Sequence, residues 1–414
     1  MRPQQILECM GLAVVAIVAS ACSEPALAVG VITVDGPPDC GGRCAWPAEA
    51  CVAELCVPTG RENPLAVAHN ANCFRTRADN IACWGANEWG QIGQGSDMPV
   101  SYATPRLLPR NDWISIAGGA GTNFLALDRT NRLWGWGLNS EGALGTGDTT
   151  NKFVPTLAKT SLKWAVLHAG SGHSCGQDQR GRLYCWGRNV NGELGIGSQA
   201  RRTEPVGVAN GRVWSLASVG WGHTCAITQD GSPWCWGRNT EGQLGLGHND
   251  QRSLPEPVMT TIKFQQLSAH GLHTCAIEVG TQRLWCWGDN RDGKLGTGDQ
   301  QLRNVPTLIA PTQRWIQVRT SRASTCGITT ERQAWCWGGN YQAGSPDVED
   351  PTDVMLPMQA SPDNGWHEIG SGHSHVCGMK EGVDAPLCWG RGSEGQLGQG
   401  EFRDEPLPMP VLLP

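Results

Sequence analysis

Val213-Trp-Ser-Leu-Ala-Ser-Val-Gly-Trp-Gly-His-Thr-Cys-Ala-Ile-Thr-Gln-Asp-Gly-Ser-Pro-Trp-Cys-Trp-Gly-Arg-Asn-Thr-Glu-Gly-Gln-Leu-Gly-Leu-Gly247 is the best-preserved copy of a unit that the chain writes seven times. Its middle reads as a β-hairpin. Two β-prone runs, Thr224 to Thr228 and Pro233 to Trp236, flank Asp230-Gly231, a dipeptide that favours tight turns. Arg180-Gly181 and Arg129-Thr-Asn131 occupy the equivalent turns. The segment Asn239 to Gly247 is punctuated by glycine and predicts a tight loop. A proline-containing β-prone element, as in Pro155-Thr-Leu and Pro306-Thr-Leu, closes each unit.

The unit recurs with a regular period. Tryptophan-glycine pairs begin at Trp84, Trp136, Trp186, Trp236, Trp287, Trp337 and Trp389, at spacings of 52, 50, 50, 51, 50 and 52. Fixed self-similarity of this length marks a repeat architecture. No stretch has helical periodicity, and four short strands per fifty residues, seven times over, predict an all-β, seven-bladed propeller over residues 63–414. Composition agrees: 55 glycines among 414 residues, and 19 tryptophans against 5 phenylalanines and 3 tyrosines. One aromatic type used over and over points to repetition. Trp134, Trp234, Trp285 and Trp335 lie two residues before their tryptophan-glycine pairs, and Trp113, Trp164, Trp214, Trp315 and Trp366 open their units. All are expected in the packing between blades. The net charge of −6 argues against a nucleic-acid binder, which carries a basic excess or patch.

The motif W-G-x-N-x-x-G-Q-L-G-x-G with an upstream G-x-x-H-T resembles the repeat of the regulator of chromosome condensation family, and the resemblance holds in all seven registers. It implies the same seven-bladed propeller. Two units depart from it: Trp337-Gly-Gly-Asn-Tyr-Gln-Ala-Gly344 lacks the L-G-x-G tail, and Gly392 stands where asparagine is usual. Nuclear members of the family exchange nucleotide on a small GTPase. The uniform repeat length leaves no room for the long inserted wedge such factors use. A light-sensing branch, the plant ultraviolet-B photoreceptors, uses surface tryptophans; in Gly220-Trp221-Gly-His-Thr224 only Trp221 is a tryptophan that other units do not share.

The chain holds 18 cysteines. Twelve form six pairs, one on the two arms of each of six hairpins: Cys73 with Cys83, Cys175 with Cys185, Cys225 with Cys235, Cys275 with Cys286, Cys326 with Cys336, and Cys377 with Cys388. The second unit lacks both members and has Leu125 and Gly135 there, the joint loss a bonded pair predicts. Facing residues of a hairpin lie within disulfide reach. Buried free thiols are the alternative.

The N-terminus reads as an export address. Met10 to Ala21 is an apolar run of twelve, too short to span a bilayer and of signal-peptide length. It ends in Ala19-Ser20-Ala21-Cys22, which resembles the lipobox of bacterial lipoproteins. That resemblance implies a signal peptide over 1–21, lipid attachment at Cys22, and, with Ser23 in place of an aspartate, transport to the outer membrane or cell surface. An ordinary secretory signal cut at A-x-A, with Cys22 a bystander, and an uncleaved anchor are the other readings. Residues 22–39 form a tether. Residues 40–58 form a mini-domain with Cys40, Cys44, Cys51 and Cys56, read as two disulfides in an oxidising compartment. A four-sulfur zinc site is the alternative reading, and three disulfide connectivities stay open.

Catalytic and cofactor patterns are missing. His173, His223 and His273 share one repeat position, with His373 and His375 near it, but Ala71, Asn123 and Ser324 interrupt the series. A histidine bonded to the backbone of its own blade is expected over a metal ligand, and no carboxylate or serine accompanies it at fixed spacing. The glycine-rich loops join strands, whereas a phosphate loop opens a helix. Asp289-Asn-Arg-Asp-Gly293 lacks the spacing and the terminal glutamate of a calcium loop. The expectation is a non-enzymatic, cofactor-free, lipid-anchored scaffold that binds a protein or glycan at the bacterial cell envelope, with inhibition of an extracellular enzyme as the alternative and an enzyme with an unrecognised site ranked behind both.

Overall fold

The computed structural model describes residues 64–95, 100–208, 211–339 and 353–414 in full, and 49–52 and 55–58 through their backbone. The chain divides into two compact units, Met1–Asn63 and Pro64–Pro414. In the first, Glu49–Val52 pairs antiparallel with Leu55–Pro58, and this register sets Cys51 opposite Cys56. The signal segment, the tether, Cys22, Cys40 and Cys44 lie outside the described residues.

The second unit is a seven-bladed β-propeller. Seven antiparallel four-stranded sheets follow one another along the chain, each built from consecutive strands. Blade 4 shows the pattern: Trp214–Val219, His223–Thr228, Pro233–Gly237 and Arg252–Pro257. The hairpin arms each run one residue beyond the predicted span, to include His223 and Gly237. Gly231 at the turn has φ +81°, and Asn131 takes the same left-handed region in blade 2, residue types that tolerate it. The proline-containing element is the outermost strand. Proline is tolerated there because an edge strand has a free side where the missing N–H is not needed. No helix occurs among the described residues.

First strands of neighbouring blades contact one another around a central axis. Those of blades 2 to 7 carry a register shift just after the opening residue, as between Trp214 and Leu216. Such a bulge increases local twist. The hydrophobic core is split into clusters between adjacent blades. Trp214 and Trp236 of blade 4 pack on Cys175, Cys185, Leu183 and Leu194 of blade 3. The ring closes the same way: Leu65, Val67 and Trp84 of the first blade meet Cys377, Cys388 and Val411 of the last. The tryptophans of the seven periodic tryptophan-glycine pairs are fully buried. The tryptophans two residues before are half-buried and lie at the edge of these clusters, where Arg110 covers Trp134 at 4.1 Å and Arg212 covers Trp234 at 3.9 Å.

Six disulfides join the hairpin arms within blades, each with Cα atoms 4.1 Å apart. All twelve sulfur residues are fully buried beneath the next blade's tryptophans. They therefore fill volume as well as cross-link. Blade 2 fills the same volume with a leucine: Leu125 stands opposite Gly135 and packs with Trp164 and Trp186 of blade 3. A Cβ on Gly135 would lie 3.2 Å from the Leu125 side chain, so the leucine occupies the space that the disulfide takes elsewhere. Leu125→Ala is expected to cost about 2–5 kcal/mol, read from urea unfolding. The loss should be equal with and without reductant if a cavity in blade 2, and not a redox effect, is its cause.

Candidate functional site

The repeat motif builds a clamp between blades before it builds any surface. In blade 4, Asn239 folds the glycine-rich loop by accepting from Leu244 N–H at 2.9 Å and donating to the carbonyls of His248 and Asp250. The fold of this loop presents the Gln243 carbonyl to blade 5. There the indole of Trp287 and the hydroxyl of Thr274 both donate to it, each at 3.0 Å. The pattern recurs with Trp236 and Thr224 on the Glu193 carbonyl, and with Trp186 and Ser174 on the Ala143 carbonyl. At the closing seam Trp84 and Asn72 share the Gln396 carbonyl at 2.9 and 2.7 Å.

The repeat histidines complete the clamp. They do not bond the backbone of their own blade, as the sequence led us to expect. Nε2 of His173, His223 and His273 reaches the hydroxyl of Thr224, Thr274 and Thr325 in the following blade at 2.9, 3.0 and 2.8 Å. His375 holds this position in the last blade and reaches Asn72 Oδ1 at 2.8 Å. Each threonine proton is already donated to a carbonyl, so the histidine must donate from Nε2. Nδ1 of His223, His273 and His375 is then buried with no proton and no partner. A Cβ at Gly220 would lie 2.6 Å from Nδ1 of His223, which is why glycine precedes it there. Burial holds His173, His223 and His375 down to about 3, and His273 well below its ordinary value. These are structural imidazoles, neutral at physiological pH.

Among the described residues no group of three or more His, Cys, Asp or Glu side chains converges in metal-ligating geometry. Asp289 is instead neutralised by Lys294 and Arg291, each at 2.8 Å. The sequence reading missed the channel. His168, Arg319 and Glu368 lie on the first strands of blades 3, 6 and 7, at positions that alternate with the buried core. Burial pushes Glu368 up to about 8, only partly opposed by Arg319. Charge at strand positions that are apolar or neutral in the other units was the available signal.

One mouth of the channel is ringed by seven loops, one from each blade, between first and second strands. Their backbones touch in sequence. His69 N–H donates to Gly121 O, Trp221 N–H to Gly271 O, and His373 N–H to His69 O. Close approaches of Gly121 to Gly170 O, Gly170 to Gly220 O, and Gly271 to Arg322 O add three more junctions, and side chains link blades 6 and 7, Arg322 Nη1 lying 3.3 Å from His373 Nε2. Two residues before the clamp position, this collar carries His69, Gly121, Ser171, Trp221, Gly271, Arg322 and His373. The frame beneath is repeated and the collar is not.

A closed ring with a constant frame and a varied collar defines a protein-interaction kind of propeller. The chain belongs to the RCC1-like domain family, whose profile matches residues 82–414. Among similar proteins, the probable E3 ubiquitin-protein ligase HERC4 of Homo sapiens is 30% identical over 106 residues, 25% of this chain and 10% of its own length. The ultraviolet-B receptor UVR8 of Arabidopsis thaliana is 30% identical over 129 residues, 30% of this chain and 29% of its own. The chain thus spans a tenth to three tenths of the length of such relatives. Human WBSCR16 superposes with a TM-score of 0.73 at 21% identity, covering 82% of this chain and 95% of that one. Yeast RCC1 (Prp20), solved bound to Kap60, gives 0.71 at 21%, covering 84% and 85%. These structural likenesses carry the fold.

Two outcomes test the clamp. Thr274→Val removes a donor to Gln243 O and an acceptor for His223 together, and is expected to cost about 1–3 kcal/mol in chemical unfolding, with Thr274→Ser close to the parent. The histidines also set an acid limit. Their folded-state values lie below the unfolded value of about 6.5, so the unfolded chain binds protons that the folded chain refuses. Stability should fall as pH drops from about 6.5 toward 3. Denaturation midpoints measured across that interval should decline less steeply in His223→Gln.

Proposed function

We propose that this protein is a non-enzymatic binding module, exported and anchored by lipid on Cys22 at the bacterial outer membrane or cell surface, which holds a protein partner on the varied collar. The observation that carries the binding reading is the contrast between a repeated frame and a collar position that carries five residue types across seven blades. Loops on a rigid scaffold are where recognition residues concentrate. Burial of the twelve propeller cysteines as six disulfides supports an oxidising compartment, as do the apolar run Met10 to Ala21 and Cys22 after small residues. On this reading residues 1–21 are removed, 22–39 are a tether, and 40–58 are a mini-domain stapled through Cys40, Cys44, Cys51 and Cys56. In the described residues no helix is long and apolar enough to cross a membrane.

Fractionation of expressing cells tests the anchor. The parent should sediment with membranes, incorporate labelled palmitate and lack its first 21 residues. Cys22→Ala should appear in the soluble exported fraction, and its retention in membranes would defeat the lipid reading. For binding, crosslinked capture from envelope extract should return a stoichiometric protein. A single captured enzyme whose activity is lost would make the protein an inhibitor, and turnover of a small molecule by the pure chain would overturn the non-enzymatic reading.

A further inference from the structure

The collar is chemically lopsided. Gly121 and Ser171 leave one arc with little side chain, while the arc of blades 4 to 7 and blade 1 carries four large flat groups in contact. Arg322 lies over the Trp221 ring at 6.0 Å. Gly271, between them in the circle, has no side chain to separate them, and the space its Cβ would enter is taken by Ser321 and Arg322 backbone. On its other side Arg322 meets His373, with Nη1 3.3 Å from Nε2. His373 in turn stacks on His69, ring centroids 4.3 Å apart. Arg391 flanks the same imidazole.

The charge on this arc is carried by guanidinium. Burial, with Arg322 nearby, lowers His69, and burial with His69, Arg322 and Arg391 lowers His373 to about 4. Both imidazoles are therefore neutral at pH 7. Elsewhere on this face arginines are neutralised: Arg188 by Glu193, Arg238 by Glu241, Arg291 by Asp289. Arg322 and Arg391 are exposed, and among the described residues neither has a carboxylate partner. Trp221 is 42% exposed, although the tryptophans of the seven periodic tryptophan-glycine pairs are fully buried. Arg322 beside the exposed indole and Arg391 beside His373, neither with a carboxylate partner among the described residues, form a local site of opposite sign to a chain of net charge −6.

We propose that this arc receives an acidic peptide segment of the partner protein, with carboxylates on Arg322 and Arg391 and an aromatic or aliphatic side chain on Trp221. The assignment rests on the protein-binding reading and names the part of the collar that performs it. Guanidinium presents a planar fork that matches a carboxylate, and stacking on tryptophan adds direction.

The test uses the full chain carrying Cys22→Ala and two fluorescein-labelled probes, Glu-Glu-Tyr-Glu-Glu and Lys-Lys-Tyr-Lys-Lys, followed by anisotropy at low and moderate salt. The acidic probe should bind, weaken with salt, and lose about tenfold or more in affinity with Arg322→Glu/Arg391→Glu. Trp221→Ala should lose less, and Arg180→Glu, in the exposed turn between the second and third strands at the opposite end of blade 3, should match the parent. Thermal midpoint and the six disulfides by mass report folding; if the double variant fails there, Arg322→Gln and Arg391→Gln singly carry the comparison. Equal binding of the lysine probe, no binding of the acidic probe, or no effect of the arginine changes would overturn the proposal. So would displacement of the probe by polygalacturonate at lower concentrations than by unlabelled peptide, which would assign the arc to an acidic glycan. Capture of the same envelope protein by parent and by Arg322→Glu/Arg391→Glu would remove the arc and leave the protein-binding reading standing.

Discussion

In blades 2, 3, 4 and 7 a single backbone carbonyl of the glycine-rich loop holds the junction to the next blade. Gln243 O takes an indole N–H and a threonine hydroxyl from the next blade, and the hydroxyl in turn takes an imidazole N–H from its own blade's predecessor. Three side chains and one carbonyl are thus satisfied in a place without water. Leaving any of them unmade would strand a buried polar group at a cost of about 1–3 kcal/mol. The loop geometry, the glycine at each tight approach and the buried tryptophan all follow from the need to deliver that carbonyl. Gly245 makes the point: a Cβ there would lie 2.9 Å from the Trp287 indole nitrogen.

Much of this was legible because it is local or periodic. The hairpins announced themselves by Asp230-Gly231 and the alternation around it, and the outer strands by their prolines. The cysteine pairs fell on facing positions because the turn fixes hairpin register. The histidine partners were hidden for a physical reason. Each lies a full repeat ahead, so a reading within one blade finds only that blade's backbone. The threonine that follows a histidine serves the preceding blade's histidine, as Thr224 serves His173. The pairing becomes visible only once the ring is closed. The collar was hidden differently: its residues look like repeat noise until seven loops are brought to one mouth. Glu368 and Arg319 were passed over because strand positions facing a channel have the same alternation as positions facing solvent.

The disulfides and Leu125 answer the same packing demand. Under each tryptophan pair the preceding blade must supply a dense apolar plug, and either a buried S–S or a branched side chain does so. Cross-linking is added in six blades. The frame is thereby rigid without any contribution from the collar, which is free to differ from blade to blade.

The seam between the last blade and the first has consequences for topology. No strand is exchanged across it: blade 7 keeps all four of its own strands, and side chains such as His375, Asn72 and Trp84 make the junction. The seam is therefore of the same kind as the junctions around the rest of the circle. Cutting the polypeptide at another inter-blade connection and joining Pro414 to Pro64 by a short linker would move the opening without altering any sheet. The ring behaves as a necklace whose clasp has no privileged position, and circular permutation becomes a way to present the same collar from a different pair of chain ends.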